Sequence, residues 1–272
     1  MTHESLEDLA QAASAGERNA LDELLRTIQQ PIYALAVRML WHPEDARDAT
    51  QEILLRIMTH LGSFRGESRF LTWAYRVASN YLMTCRHSRV EQQQYTFARF
   101  GKELRDGLEA AKGSEWPPDK ATLLEELKVG CMLGMLTCLD REHRLAYVLG
   151  EILELDGPEA AAVLEITPAA FRKRLSRART ALVRFTRVTC GLVRGDNPCQ
   201  CARKLPDAIR RARVVPDRLL FANPQRAAAF PAVLQKVRAL DEVQRTAVLY
   251  RTHSEPKPGA ELLARVAAIL DR

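Results

Sequence analysis

Apolar positions recur at three- and four-residue spacing along most of the chain, with no convincing alternating strand and no internal repeat. That pattern predicts an all-α protein. Four blocks separate along it. The first, 4–88, is a run of amphipathic helical patterns broken at Gln30-Pro31, His42-Pro43 and Gly62 to Gly66. The second, 89–120, loses periodicity and ends in a stretch containing Trp116-Pro117-Pro118, where consecutive prolines forbid a helix. It reads as a flexible linker. The third, 121–188, is helical again and carries the densest basic segment. The fourth, 189–272, is an extension with three cysteines, several prolines and two helical patterns at 234–250 and 261–270.

The third block holds a helix-turn-helix pattern. Asp156 is placed to cap a short Ala-rich helix at 159–164, with Glu159 three residues on as in a capping box. Glu165-Ile166-Thr167 makes a turn, and Thr167-Pro168 supplies a cap and a proline at the first position of a helix over 168–187. At about 100° per residue, Phe171, Leu175, Ala178, Leu182 and Phe185 share the inward stripe. Arg172, Lys173, Ser176, Arg177, Thr180 and Arg184 point the other way. A basic second helix after a tight turn suits the DNA major groove, where Arg and Lys bond guanine edges or phosphates. The bland alternative is a solvated basic face.

Two patterns stand out in the first block. In a helix over 43–61, Ala46, Ile53, Ile57 and Leu61 share the buried side, with Asp45, Asp48 and Glu52 opposite and Gln51, Leu55 and Met58 beside them. Exposed Leu and Met framed by carboxylates fit a protein-docking surface, although a plain charged outer face has the same pattern. After a loop centred on Phe64, residues 70–87 put Phe70, Ala74, Val77 and Tyr81 inward, and Trp73, Arg76 and Asn80 on another side. Aromatic, cationic and amide groups together suit single-stranded DNA. An aromatic stripe is also what an ordinary core looks like.

Composition adds direction. The 272 residues carry a formal net charge of +6, which makes an anionic partner plausible. No stretch approaches the roughly 20 apolar residues of a membrane span, and residues 1–10 lack a secretory pattern. The expectation is a cytoplasmic protein, in which the six cysteines are thiols or metal ligands rather than disulfides. No nucleophile motif, phosphate loop or metal-pair spacing marks an enzyme. His42, His60 and His143 read as surface or capping residues.

Three segments in this order resemble one family. Asp45-Ala46-Arg47-Asp48-Ala49-Thr50-Gln51-Glu52 resembles the acidic helix of extracytoplasmic-function (ECF) RNA polymerase sigma factors. The segment running Phe64-Arg65-Gly66-Glu67-Ser68-Arg69-Phe70-Leu71-Thr72-Trp73 and on to Asn80 is similar to that family's loop and melting helix. Arg172-Lys173-Arg174-Leu175-Ser176-Arg177-Ala178-Arg179 is similar to its recognition helix. The resemblance spans about 15–188. It implies a sigma-2 domain (1–88), a linker (89–120), a sigma-4 domain (121–188) and an extension (189–272), the two sigma domains all-α. It implies core RNA polymerase as partner, through the β′ clamp helices and β flap, with Asp45, Asp48, Gln51, Glu52 and Leu55 on the docking face. Promoter DNA is the second partner. Phe64, Arg65, Ser68, Arg76 and Asn80 are then expected at the −10 element, where a base is flipped out, with Trp73 bracing the domain. Arg172, Lys173, Ser176 and Arg177 are expected at the −35 element. Gly157-Pro158 and Pro168-Ala169-Ala170-Phe171 depart from the family pattern, so the −35 sequence does not follow.

A conventional helix-turn-helix regulator would explain 168–187 but not the Phe64 to Asn80 segment. In the extension, Cys190, Cys199 and Cys201 are candidate zinc ligands or redox thiols, with Cys138 or His253 as a fourth ligand; incidental thiols are the alternative. The extension is expected to pack on the sigma domains and modulate activity, in place of or beside an anti-sigma factor.

Overall fold

The computed structural model describes residues 5–86, 91–111, 120–252 and 262. Among them the protein is all-α, as the periodicity predicts. The helices are α1 (Leu6–Ser14), α2 (Arg18–Leu40), α3 (Pro43–Thr59), α4 (Phe70–Thr84), α5 (Phe97–Ala110), α6 (Lys120–Thr137), α7 (Arg141–Tyr147), α8 (Gly157–Val163), α9 (Pro168–Thr189), α10 (Cys201–Arg210), α11 (Pro224–Arg238) and α12 (Glu242–Thr252). No helix among the described residues is long and apolar enough to cross a membrane.

Contacts divide these residues into two compact units: the described parts of Met1–Ser88, Asp156–Phe171 and Lys257–Arg272, and those of Arg89–Leu155 and Arg172–Pro256. In the first, α1 to α4 pack around Leu24, Ile28, Ile32, Leu35, Ile53 and Phe70, all buried. Helix α2 runs through Pro31, where the sequence predicts a break. A proline in mid-helix removes one backbone hydrogen bond. Burial of Ile28, Gln29, Ile32 and Tyr33 on both sides holds the helix across it. The second break is where the sequence puts it: Trp41 takes φ 64° and Pro43 opens α3.

In the second unit, the stretch read as linker contains α5, a strongly amphipathic helix capped by Thr96, whose side chain accepts from the Arg99 N–H. Its signal is broken into short phases by Gly101 and Gly107, which hides it from periodicity. The extension is folded too. Helix α10 packs on α5 and α6, α11 on α6, and α12 on α11 and on the π-turn Val148–Ile152. The pattern at 234–250 is two helices rather than one, because Asp241 caps a new start by accepting from the Val243 and Gln244 N–H groups, each at 2.9 Å. The pattern at 261–270 lies outside the described residues except for Leu262.

Buried polar groups fix this packing. Glu126, 2% exposed, accepts the backbone N–H groups of Leu220, Phe221 and Ala222 at 2.7–2.8 Å and so pins the entry to α11. Arg144 donates to the carbonyls of Leu136 and Leu139 at the end of α6 and to Glu91. Orphan carbonyls at a helix C-terminus favour a cation there. Asp207, 1% exposed, accepts from Lys204, Arg210 and Arg211. Lys204 in turn donates to the Glu103 carbonyl of α5 at 3.2 Å.

Gly107 is where α10 comes closest to α5. A Cβ there would lie 1.6 Å from Lys204 Nζ and 2.1 Å from Asp207 Oδ2. Gly107→Ala should therefore lower stability by about 1–3 kcal/mol in urea titration despite alanine's better helix propensity. Gly62→Ala, with open space around it, should change stability little. Burial pushes the Asp207 carboxyl up, but hydrogen bonds from Lys204, Arg211 and Arg210 outweigh it and hold it at about 2. A depressed folded value means stability that is present above the unfolded value near ~3.9 and lost as pH falls through the folded one. Acid unfolding of the wild type between about pH 4 and 2 should thus include a component that Asp207→Asn removes.

Candidate nucleic-acid and polymerase interfaces

Helix α4 is built on a cluster of aromatic rings. Phe70 is fully buried and Trp73 is 4% exposed. The Phe64 ring packs edge-on against Phe70 at 5.1 Å between centroids and lies 5.8 Å from Trp73. Trp73 thus braces the domain, as expected, and the loop aromatic is anchored to it. Arg65 and Ser68 are exposed, Phe64 and Arg76 half-buried, and Asn80 exposed. Val77 and Tyr81, expected inward, are only half-buried, whereas Ala78 and Leu82 are fully buried. An open pocket of about 540 Å³ lies beside the loop, lined by Glu7, Asp8, Gln11 and Ser14 of α1 and by Phe64 and Arg65.

The outward side of α4 has a partner that sequence reading missed. Arg69 and Thr72 both donate to the Glu159 carboxylate of α8. Asn80 Nδ2 donates to Glu165 Oε2 at 3.2 Å. The Arg69 guanidinium is raised above its ordinary value by its hydrogen bond to Glu159 and by that carboxylate's charge. Helix α8 is itself started as the sequence predicts: Asp156 Oδ1 accepts the Glu159 N–H at 2.7 Å. Beyond it Glu165 takes φ 53°, and the Ile166 N–H returns to the Ala161 carbonyl at 3.1 Å. A left-handed residue with this return bond ends a helix sharply and makes the turn.

Helix α3 keeps its expected faces. Ala46, Ile53, Ile57 and Leu61 are buried, Asp48 and Glu52 exposed, and Asp45, Gln51, Leu55 and Met58 half-buried. Helix α9 does the same. Thr167 caps it by accepting the Ala170 N–H at 3.2 Å. Phe171, Ala178, Leu182 and Phe185 are buried and Leu175, expected with them, is half-buried, while Arg172, Lys173, Ser176, Arg177, Thr180 and Arg184 are exposed. Its flanking arginines are neutralised: Arg174 pairs with Glu142 at 3.0 Å, and Arg179 with Glu151. Among the described residues Arg172, Lys173 and Arg177 have no ion pair. The helix thus presents a stripe of uncompensated positive charge, of the kind that suits phosphates and guanine edges.

The cysteines of the extension cluster, together with one the sequence did not single out. Cys190, Cys199, Cys201 and Cys131 of α6 line a single cavity of about 20 Å³. An isolated β-bridge joins Cys190 to Cys199, with the Gly191 N–H on the Cys199 carbonyl at 3.0 Å. Burial pushes all four thiols up, Cys199 to about 12. Thiols kept protonated in apolar surroundings are unreactive. Cys138 is apart from this cavity, and His253 lies outside the described residues. Among the described residues no group of three or more His, Cys, Asp or Glu is placed to hold a metal ion. His60 bonds the Arg56 carbonyl and His143 bonds Asp140, surface roles as expected.

Comparison with known proteins bears on the same segments. Residues 24–88, covering α3, the Phe64 loop and α4, match the model of Sigma-70 region 2. The chain is 30% identical over 185 residues to the RNA polymerase sigma-H factor of Pseudomonas aeruginosa, spanning 67% of this chain and 94% of that protein. It is 29% identical over 178 residues to the ECF RNA polymerase sigma-E factor of Escherichia coli, spanning 64% of this chain and 90% of that one. With the acidic helix, the braced loop and the basic second helix in this order, the chain belongs to the sigma-70 family of RNA polymerase sigma factors, in its extracytoplasmic-function group.

Proposed function

We propose that the chain directs core RNA polymerase to promoters through three separate surfaces. The acidic face of α3, with Asp45, Asp48, Gln51, Glu52 and Leu55, docks on the β′ clamp helices. Phe64, Arg65, Ser68, Arg76 and Asn80 engage the non-template strand of the −10 element, and the pocket beside the Phe64 loop takes an unstacked base. Extruding a base costs a few kcal/mol, so its capture has to return that energy for melting to proceed. Arg172, Lys173, Ser176 and Arg177 read the −35 element in the major groove. The extension, packed on α5, α6 and the π-turn, modulates this activity. The protein works in the cytoplasm without catalysing a reaction.

One observation supports this division above the others. On α9, Arg172, Lys173, Arg177 and Arg184 are exposed and without an ion pair among the described residues, whereas Arg174, Arg179 and, near the end of the helix, Arg187 are matched by glutamates. A merely solvated face has no reason to separate its charges this way. Promoter fragments that respond to the protein come from run-off transcription with core polymerase over a genomic library. On such fragments, Arg172→Ala and Arg177→Ala should each weaken holoenzyme binding by about 1–3 kcal/mol if they contact bases. Wild-type affinity in both would remove the recognition assignment. Reversing charge on the docking helix, Asp48→Lys with Glu52→Lys, should abolish co-purification with core polymerase while circular dichroism and the urea midpoint stay near wild type. Normal holoenzyme assembly by that variant would defeat the docking assignment.

A further inference from the structure

The four sulfurs around the small cavity come from three separate places in the chain. Cys131 stands on α6, Cys190 just past the end of α9, and Cys199 and Cys201 at the entry to α10. The void between them, about 20 Å³, is close to the room that one small sphere needs. Leu104, Met132, Met135 and Phe185 add apolar walls. Burial is the larger cause of each thiol's rise, and the neighbouring sulfurs add to it. Charge on Cys190, Cys199 or Cys201 raises Cys131, charge on Cys190 or Cys199 raises Cys201, and charge on Cys190 raises Cys199. Every pair among the four is thus within electrostatic reach, and two thiolates cannot share the cavity unless a cation joins them.

The loop that carries three of these sulfurs is framed by its own polar side chains. Asn197 Nδ2 donates to the carbonyls of Arg187 and Cys190, each at 3.0 Å, and Gln200 Nε2 donates to those of Gly195 and Asn197. Gly191 fits only because it lacks a Cβ, which would lie 2.5 Å from Gln200 Nε2. Burial raises the Cys190 thiol, yet the backbone N–H groups of Leu192 and Val193 donate to its sulfur and favour the thiolate. A neutral thiol is a weak acceptor with little use for two donors. Lys128, 4% exposed on the same wall, is lowered by burial, while Glu125 and then Cys201 pull the other way. An ammonium therefore stands within reach of Cys201.

We propose that Cys131, Cys190, Cys199 and Cys201 form a structural zinc site of the closed four-cysteine kind. As the described side chains stand, the sulfurs are not placed to coordinate. Zinc draws them in by side-chain rotation, to about 2.3 Å per Zn–S bond. Each thiol releases its proton to solvent as its sulfur binds, so affinity falls in acid. The filled site carries excess negative charge, which the Leu192 and Val193 N–H groups and the Lys128 ammonium offset. It ties α6, the end of α9 and the start of α10 together, and so holds the extension to the helix that bears the basic stripe.

The test uses the full, untagged chain, purified without chelator and analysed by inductively coupled plasma mass spectrometry. Wild type should carry about one zinc per chain, and Cys131→Ser with Cys201→Ser at least tenfold less. Cys85→Ser with Cys138→Ser leaves the four cavity sulfurs in place and should keep the wild-type content. Zinc in fewer than about a tenth of wild-type chains, or equal zinc in the two double variants, overturns the proposal. A second measurement on wild type alone guards against misfolding of the variants. After chelation and desalting under reductant, cobalt(II) chloride should produce a thiolate-to-cobalt charge-transfer band in the near ultraviolet, which zinc chloride then bleaches. Absence of that band also overturns the site, whatever the variants do. Neither result bears on the proposed promoter contacts.

Discussion

A surface helix has one buried side, and the surface proposed to read the −10 element depends on how α4 fills it. Phe70, Ala74, Ala78 and Leu82 are fully buried and Trp73 nearly so. That choice fixes the rotation of the helix, which sends Arg69, Arg76 and Asn80 outward whatever their own preferences. The same rings hold the preceding loop, because Phe64 leans on Phe70 and Trp73. Aromatic pairs of this kind contribute about 0.5–1.5 kcal/mol beyond the area they bury. Packing and recognition are therefore one interaction here. A change that loosened Trp73 would shift Phe64 and the outward groups Arg76 and Asn80 with it.

The charge pattern follows the same logic on α9 and α3. Glu142 and Glu151 neutralise the arginines that flank the outward stripe of α9, Arg174 and Arg179. What remains exposed is the stripe aimed away from the core. On α3 the sign is reversed: buried Ala46, Ile53 and Ile57 turn Asp48 and Glu52 outward, beside half-buried Leu55 and Met58. Opposite charges on separate helices of one chain suit the two proposed faces to partners of different charge.

The parts legible in the sequence were those where one element carries both its fold signal and its chemistry. Asp156 and Thr167 announce the starts of α8 and α9, and the apolar spacing of 171–185 and 46–61 gives the faces. Segments whose structure depends on distant partners were hidden. Helix α5 is interrupted by glycines, and Gly107 is explained only by Lys204 and Asp207 pressing on it from α10. Pro31 looks like a stop until the buried residues around it are seen. Cys131 has no local motif tying it to Cys190, Cys199 and Cys201, because a helix and a turn far apart in sequence bring them to one cavity. Glu159 reads as the acidic member of a capping box, yet only Asp156 caps the helix and the Glu159 carboxylate is turned to Arg69 and Thr72, partners far off in sequence.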